Sequence, residues 1–415
     1  MAAFYDTLET RSPQDREAAL MQALPQQIAH AQQHAAAFAK SLGQVDAHSI
    51  TSRNALARLP VIRKYELLEQ QKAQRAQDVF GGFSALAFGK GMTRVFASPG
   101  TIYEPEAARP DYWRMARTMF AAGFRSGDLI HNCFSYHFTP AGAMMESGAH
   151  ALGCTVFPGG TGQTEQQVQA MAELRPAGYI GTPSFLKIIV EKAAELGVAL
   201  PSVKKALVSG EAFPPSLRDW LAERGIAGYQ CYATADLGLI AYETEARQGL
   251  VLDEGVIVEI VRPGTGDPVA EGEVGEVVVT VLNPDYPLIR FGTGDLSAVL
   301  PGNCPSGRTN TRIKGWMGRA DQTTKVRGMF VHPGQIAEVV KRFPEVTKAR
   351  LVVTGEMAND QMDLQIETAT ASEALQLKVA EALRDVTKLR GNVQCVAAGS
   401  LPNDGKVIED ARSYK

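Results

Sequence analysis

The chain has 415 residues, 45% of them hydrophobic and 21% charged. At ~150 residues per domain that is roughly two to three domains, which excludes a disulfide-stapled miniprotein and a chain too polar to fold. Lys and Arg total 42 against 45 Asp and Glu, a net charge of −3, and aromatics are 7%. That balance lacks the basic excess of a nucleic-acid reader.

Cys133, Cys154, Cys231, Cys304 and Cys395 are scattered with no CxxC, which argues against a zinc knuckle or a redox dithiol and suits a reducing compartment. The opening MAAFYDTLETRSPQDRE has no apolar core of a signal peptide, and no apolar run is long enough to span a bilayer. The expectation is a cytoplasmic protein without nucleic-acid or membrane partners.

In chain order, Ser12 and Pro13 suit a helix N-cap and first turn. Pro25 is expected to divide the Ala/Gln-rich stretch into two helices, the second ending at Gly43. From residue 93 strand and helix alternate: TRVFAS, a helix over AARPDYWRMARTMFAAG, DLIHNCF, CTVFPGG, a helix over TEQQVQAMAELR and GYIGT. PSFLKIIVEKAAELG then places Phe185, Ile189 and Ala193 on one helical face, and KKALVSG leads into PPSLRDWLAERG. Repeated strand–helix units predict a large layered α/β domain. After residue 248, GVIVEIV, GEVVVTVL and DLSAVL predict an attached β-rich subdomain over 249–320, ending in the loop and linker PGNCPSGRTNTRIKGWMGRADQ. The remainder reads as a small α+β unit: a hairpin in TTKVRGMFV, a one-faced helix with Ile336, Val339, Val340 and Phe343, strands ARLVVTG and MDLQIET, a second helix and a closing strand NVQCVA. The boundary falls near Asp321, giving domains of 1–320 and 321–415.

Four segments could carry chemistry. The turn in Phe96–Ile102, following a strand and preceding a helix, could offer amides to an anion, or be a plain connection. Gln230–Gly238 sets Tyr232 four positions before Asp236 in a Gly/Ala-rich loop; a ring to stack on a base and a carboxylate for Mg²⁺, or a core aromatic and a helix cap. In YPLIRFGTGD, Asp295 could accept hydrogen bonds from a sugar diol or close an Asx turn. Last come GRADQ and PNDGK, where Lys406 taken alone is a solvated charge.

In this order the segments resemble the phenylacetate–CoA ligase family of the adenylate-forming superfamily. TPSFLKIIVEKAAELG followed by LVSGEAFPPSLRDWL, and the opening YDTLETRSPQDRE, extend the resemblance over essentially the whole chain. It implies a large N-terminal domain, a mobile C-terminal lid, and ATP-dependent ligation of an aromatic acid such as phenylacetate, or a related small acid, to coenzyme A through an acyl-adenylate. On that resemblance Ser98, Gly100 and Thr101 would meet phosphates; Gly210, Glu211 and Ala212 would border adenine, with Tyr232 on its other side; Asp236 would hold Mg²⁺. Asp295 and Arg319 would bind ribose or phosphate. Lys406 would bridge carboxylate and phosphate, and Asp321 would be the hinge. The Ser135–Thr139 segment would line the acyl pocket with Tyr136 and Phe138 and bring His137 to the carboxylate. Lys325, Arg327 and Gly328 would face the pantetheine channel. The resemblance allows a homodimer.

Three departures stand out. Pro99 interrupts the phosphate loop and Ile102-Tyr103-Glu104 replaces its Gly-Lys end, exchanging a cation for an anion. YATAD replaces Tyr-Gly-x-Thr-Glu, so Ala235 stands where a threonine is usual. Cys304-Pro305-Ser306 lacks the second cysteine of a metal pair. The first two bear on ATP affinity and activation rate, and the degenerate loop keeps open an AMP-binding relative without turnover; the resemblance itself leaves open a different acceptor, an amine or a nucleotide-like cofactor.

Overall fold

A computed structural model describes residues 3–317, 320, 324–331, 333–355, 359–402 and 406–412. They fall into two compact units, Met1–Gly318 and Arg319–Lys415.

The first unit is built on a nine-stranded sheet. Its parallel half contains Thr155–Phe157, Leu129–Asn132, Gly178–Gly181, Lys205–Val208 and Ala227–Thr234, side by side in that order. The inner strands 129–132, 178–181 and 205–208 are short and mostly buried, so they read as brief apolar runs between helices rather than as alternating patterns. Helices Met115–Ala121 and Ala141–Ala151 pack beside the sheet through Met115, Met119, Met144 and Met145, against Ile130, Ile180 and Leu207. The sheet then turns antiparallel through Gly238–Tyr242 and Leu250–Leu252 to Arg312–Ile313 and Val299–Leu300.

A second, four-stranded sheet takes Val256–Val261, Gly275–Val281 and Phe291–Ser297, with Ile62–Arg63 added in parallel at its edge. Its core of Val277, Val279 and Phe291 is continuous with the N-terminal helices through Leu24, Ile28 and Phe38. The β-rich region is therefore not one separate sheet. Strand 291–297 belongs to the smaller sheet, whereas 250–252, 299–300 and 312–313 extend the larger one, and DLSAVL is split between the two. The expected linker likewise contains a strand, Arg312–Ile313.

Two helical expectations are corrected. Helix Pro13–His34 runs through Pro25 and breaks at Ala35 instead. Proline removes one donor and crowds the preceding turn, at a cost of about 3 kcal/mol. Leu20, Leu24, Ile28 and Ala31 form a buried stripe along that helix, and its burial outweighs the loss. The helix expected between the first two strands is only Met115–Ala121; residues 108–114 before it form turns, and they follow a further strand, Ile102–Ala107.

The second unit is a four-stranded sheet ordered Asn392–Val396, Gln361–Thr368, Val346–Thr354 and Ile408–Asp410. Helices Pro333–Lys341 and Glu373–Thr387 supply Ile336, Val339, Val379 and Leu383 to a core with Leu351, Leu364 and Ile366. Asn392–Val396 does not close the unit: Ile408–Asp410 follows and pairs in parallel with Val346–Thr354. A hairpin, Thr324–Val326 with Met329–Val331, precedes the sheet.

Candidate active site

The candidate residues of the first unit gather at the carboxyl ends of the parallel strands, the usual ligand crevice of such sheets. Four of the five parallel strands end in one candidate segment: 129–132 in Ser135–Phe138, 178–181 in Thr182–Ser184, 205–208 in Ser209–Ala212, and 227–234 in Tyr232–Asp236. Two hydrogen bonds lock neighbouring ends together. Ser209 Oγ donates to the Cys231 carbonyl at 2.9 Å, and the Ser184 amide donates to Glu211 Oε1 at 2.7 Å. The Glu211 carboxylate thus sits at the N-terminus of helix Pro183–Glu195, where its charge meets unpaired amides. Gly210 has φ +84, a conformation glycine adopts without strain.

Tyr232 lies on a strand rather than in a loop, and Asp295 on strand 291–297 rather than in an Asx turn. The structure joins them: the Tyr232 hydroxyl donates to Asp295 Oδ2 at 2.8 Å and lies 3.1 Å from Thr293 Oγ1. Trp316 Nε1 donates to the other carboxylate oxygen at 3.1 Å. A buried carboxylate that accepts from these donors is held in one orientation, as an acceptor for vicinal hydroxyls must be. Gly292, three positions before Asp295, leaves room for the ion pair of Arg63 and Glu276 at 3.2 Å; a Cβ there would fall 2.8 Å from Glu276 Oε1.

Asp236 is 3% exposed in the tight turn Thr234–Gly238. The Leu237 amide donates to Thr234 Oγ1, and Gly238 at φ +73 brings the chain against the Trp113 carbonyl. Lys64, first residue of helix Lys64–Gln74, donates to Asp236 Oδ2 at 2.7 Å, and Asp236 Oδ1 has no partner among the described residues. Sequence reasoning missed Lys64, which lies 172 positions from its partner. An orphaned, buried carboxylate oxygen fits a hard cation.

The segment at Ser98 is corrected most. It precedes no helix. Met92–Ser98 and Ile102–Ala107 form an antiparallel hairpin whose turn is Pro99–Thr101, with Gly100 at φ +100 and Thr101 at φ +60. Glu104 returns on the second strand, fully buried, and accepts both the Ser98 amide at 3.2 Å and the Ser98 hydroxyl. Burial, with Asp236 nearby, pushes the Glu104 carboxyl up to about 8.

At the other end of the crevice, the Ala97 amide donates to the Phe138 carbonyl at 2.8 Å, tying the 135–140 loop to the hairpin. Phe138 has φ +60 and is 80% exposed, and His137 is exposed beside it. Tyr136 is half-buried: Asn132 Nδ2 donates to its hydroxyl at 2.8 Å, and the hydroxyl donates to Glu146 Oε2 at 2.9 Å. Glu146 was also missed, although a lone carboxylate in the small, apolar AGAMMESGAHA helix was a visible signal.

In the second unit, Lys325, Arg327 and Gly328 lie on the 324–331 hairpin. Arg327 and Gly328 form its two-residue turn, both with positive φ. The Arg327 side chain donates to the carbonyls of Asp360 and Arg390, both at 3.0 Å, and its amide to Asp360 Oδ2 at 2.8 Å. Lys406 is exposed before strand Ile408–Asp410. Arg319 and Asp321 lie outside the described residues, as do Asn403, Asp404 and Gly405.

Residues 111–281 match the model of the AMP-binding enzyme family, and residues 328–411 that of the AMP-binding enzyme C-terminal domain. A phenylacetate-coenzyme A ligase of Thermus thermophilus is 31% identical over 343 residues, covering 78% of this chain and 75% of that protein. The phenylacetate-coenzyme A ligase of Escherichia coli is 28% identical, covering 97% of this chain and 95% of that one. A crystal structure of 2-hydroxyisobutyryl-CoA ligase, in complex with 2-HIB-AMP and CoA, superposes with a TM-score of 0.84 at 24% identity, covering 100% of this chain and 93% of that one. The mixed α/β layout is that of these adenylate-forming ligases, and the chain belongs to the phenylacetate–CoA ligase family of AMP-binding enzymes.

Proposed function

We propose that this enzyme joins a small carboxylic acid, aromatic or of similar size, to coenzyme A at the expense of ATP. The acid would attack the α-phosphate, expelling pyrophosphate and leaving an acyl-adenylate; the thiol would then attack the acyl carbon and expel AMP. The observation that carries the reading is the Tyr232–Asp295 hydrogen bond. It brings an aromatic ring and an oriented carboxylate from separate strands to the crevice, as a purine riboside requires. The relatives named as phenylacetate-coenzyme A ligases support the acid and the thiol.

The work of the chain is positioning and charge stabilisation. Tyr232 would pack on one side of adenine, with Gly210, Glu211 and Ala212 bordering the other, and Asp295 would take the ribose hydroxyls, assisted by Arg319. Asp236 would hold Mg²⁺ through its unpartnered oxygen, and the ion when bound would offset phosphate charge. Lys406 is assigned the bridge between carboxylate and α-phosphate, a role suited to a point charge on a flexible stem. His137, Tyr136 and Phe138 would border the acid, Lys325, Arg327 and Gly328 the pantetheine arm, and Asp321 would serve as hinge between half-reactions.

The test is pyrophosphate release over a panel of carboxylic acids with coenzyme A present, with product masses recorded. The expected result is acid-dependent release and an acyl-CoA, with release abolished in Lys406→Ala. No release with any acid would overturn the reading. A second reading, AMP binding without turnover, is favoured by one observation: Glu104 occupies donors of the phosphate turn. Calorimetric AMP binding without pyrophosphate release would select it.

A further inference from the structure

The turn at Ser98 already holds a carboxyl group. Glu104 faces back across the hairpin, and its two oxygens take the amide and the hydroxyl of Ser98. The residue is fully buried on a strand whose neighbours Pro105 and Glu106 are buried too, so the carboxylate is a fixed part of the wall. Asp236, 3% exposed, lies close enough for its charge to act on Glu104, and Lys64 is held by Asp236 at 2.7 Å. A phosphate group entering this turn would find the Ser98 amide and hydroxyl already engaged. Such a group gains little where donors are already satisfied.

We propose that Glu104 is a specificity-determining residue: its carboxyl, occupying both donors of Ser98, makes the site select the adenylate portion of its ligand and give no net grip to the outer phosphates. The class of ligand held best is a nucleoside monophosphate or its acyl ester, and ATP binds no more tightly than AMP. This rests on the nucleotide reading of the crevice above. It assigns the energy of binding to Tyr232, Asp295 and the α-phosphate contacts, and it makes pyrophosphate a weakly held product.

The test is calorimetric titration of the full chain with AMP, with ATP and with inorganic pyrophosphate, each with Mg²⁺ present. In the wild type, Kd for ATP is expected within about threefold of that for AMP, with no competition by pyrophosphate at concentrations that saturate AMP. Glu104→Ala removes the carboxyl and frees both Ser98 donors; it should tighten ATP at least tenfold and leave AMP within about threefold. A wild-type preference for ATP of tenfold or more overturns the assignment without recourse to any variant, as does an unchanged ATP-to-AMP ratio in folded Glu104→Ala. Failure of the wild type to bind AMP at all would instead overturn the nucleotide reading, and this inference with it.

Discussion

Arg290 precedes the strand that carries Asp295, and its replacement tests how that strand is held. Its guanidinium is fully buried. Nε and Nη2 donate to the two oxygens of Glu259 at 2.9 and 3.0 Å, Nη2 donates to the Gly266 carbonyl at 2.7 Å, and Nη1 to the carbonyls of Ala57 at 2.8 Å and Leu59. The Arg290 carbonyl in turn accepts the Ile62 amide at 3.0 Å, which starts the parallel edge strand. Arg290→Met retains much of the volume but leaves Glu259 buried without its partner and three carbonyls without these donors. Removing one member of a buried pair costs about 3–5 kcal/mol, and the chain's total stability is expected to be about 5–15 kcal/mol. Burial already holds the Glu259 carboxyl above its usual range despite Arg290, so protonation of Glu259 in the variant limits the loss. The backbone adds nothing to the comparison, because φ is +48 and methionine is as strained there as arginine. Trp113, Trp220 and Trp316 all lie in the first unit, so urea unfolding followed by tryptophan fluorescence reports on it directly. Arg290→Met should lose about 4 kcal/mol, and Arg290→Met with Glu259→Met should recover half or more of it. A single variant within about 1 kcal/mol of wild type, or a double variant no more stable than the single, would refute the argument.

Two further outcomes follow from local geometry. Gly238→Ala places a Cβ 2.7 Å from the Trp113 carbonyl at a φ of +73, so it should cost about 2 kcal/mol or more by urea unfolding and weaken AMP binding through the Asp236 turn. Asp111 accepts the Met115 amide at 2.7 Å, and burial raises its carboxyl to about 6. Its unfolded value is near 3.9, so between about pH 4 and 6 the folded chain binds the extra proton, and stability falls as pH rises through that window. The loss approaches ~3 kcal/mol at most. Asp111→Asn, at a φ of +46 that asparagine tolerates, should gain on the wild type in thermal unfolding from pH 4.5 to pH 7.5; a flat or opposite trend would count against burial as the cause.

Much of the architecture was visible in the sequence because it rests on local repetition. Helix Pro333–Lys341 shows its buried face in Ile336 and Val339, and strand Gln361–Thr368 alternates Met362, Leu364 and Ile366 into the core. The alternation of short apolar runs with helices marked the parallel sheet. What escaped was set by distant packing. Pro25 signals a break locally, but a helix with a long buried stripe continues through it. Ile102–Ala107 is rich in glutamate and carries a proline, which disfavours a strand in isolation; pairing with Met92–Ser98 and burial of Glu104 override that preference.

The site divides along the same line. Tyr232, Asp236 and Asp295 could be picked out because each stands in a recognisable segment, and the order of those segments carries the family. Their physical state could not. The contact of Lys64 with Asp236 spans 172 positions and that of Tyr232 with Asp295 spans 63, and no periodicity encodes either. Glu104 shows both sides of this limit. The exchange of a cation for an anion in that segment is visible only against the family's pattern, and there it suggests weakened contact with the outer phosphates. The structure gives the exchange a different meaning. The carboxyl is inside and accepts both the amide and the hydroxyl of Ser98, so the side chain opposite Ser98 is part of the hairpin's own hydrogen bonding.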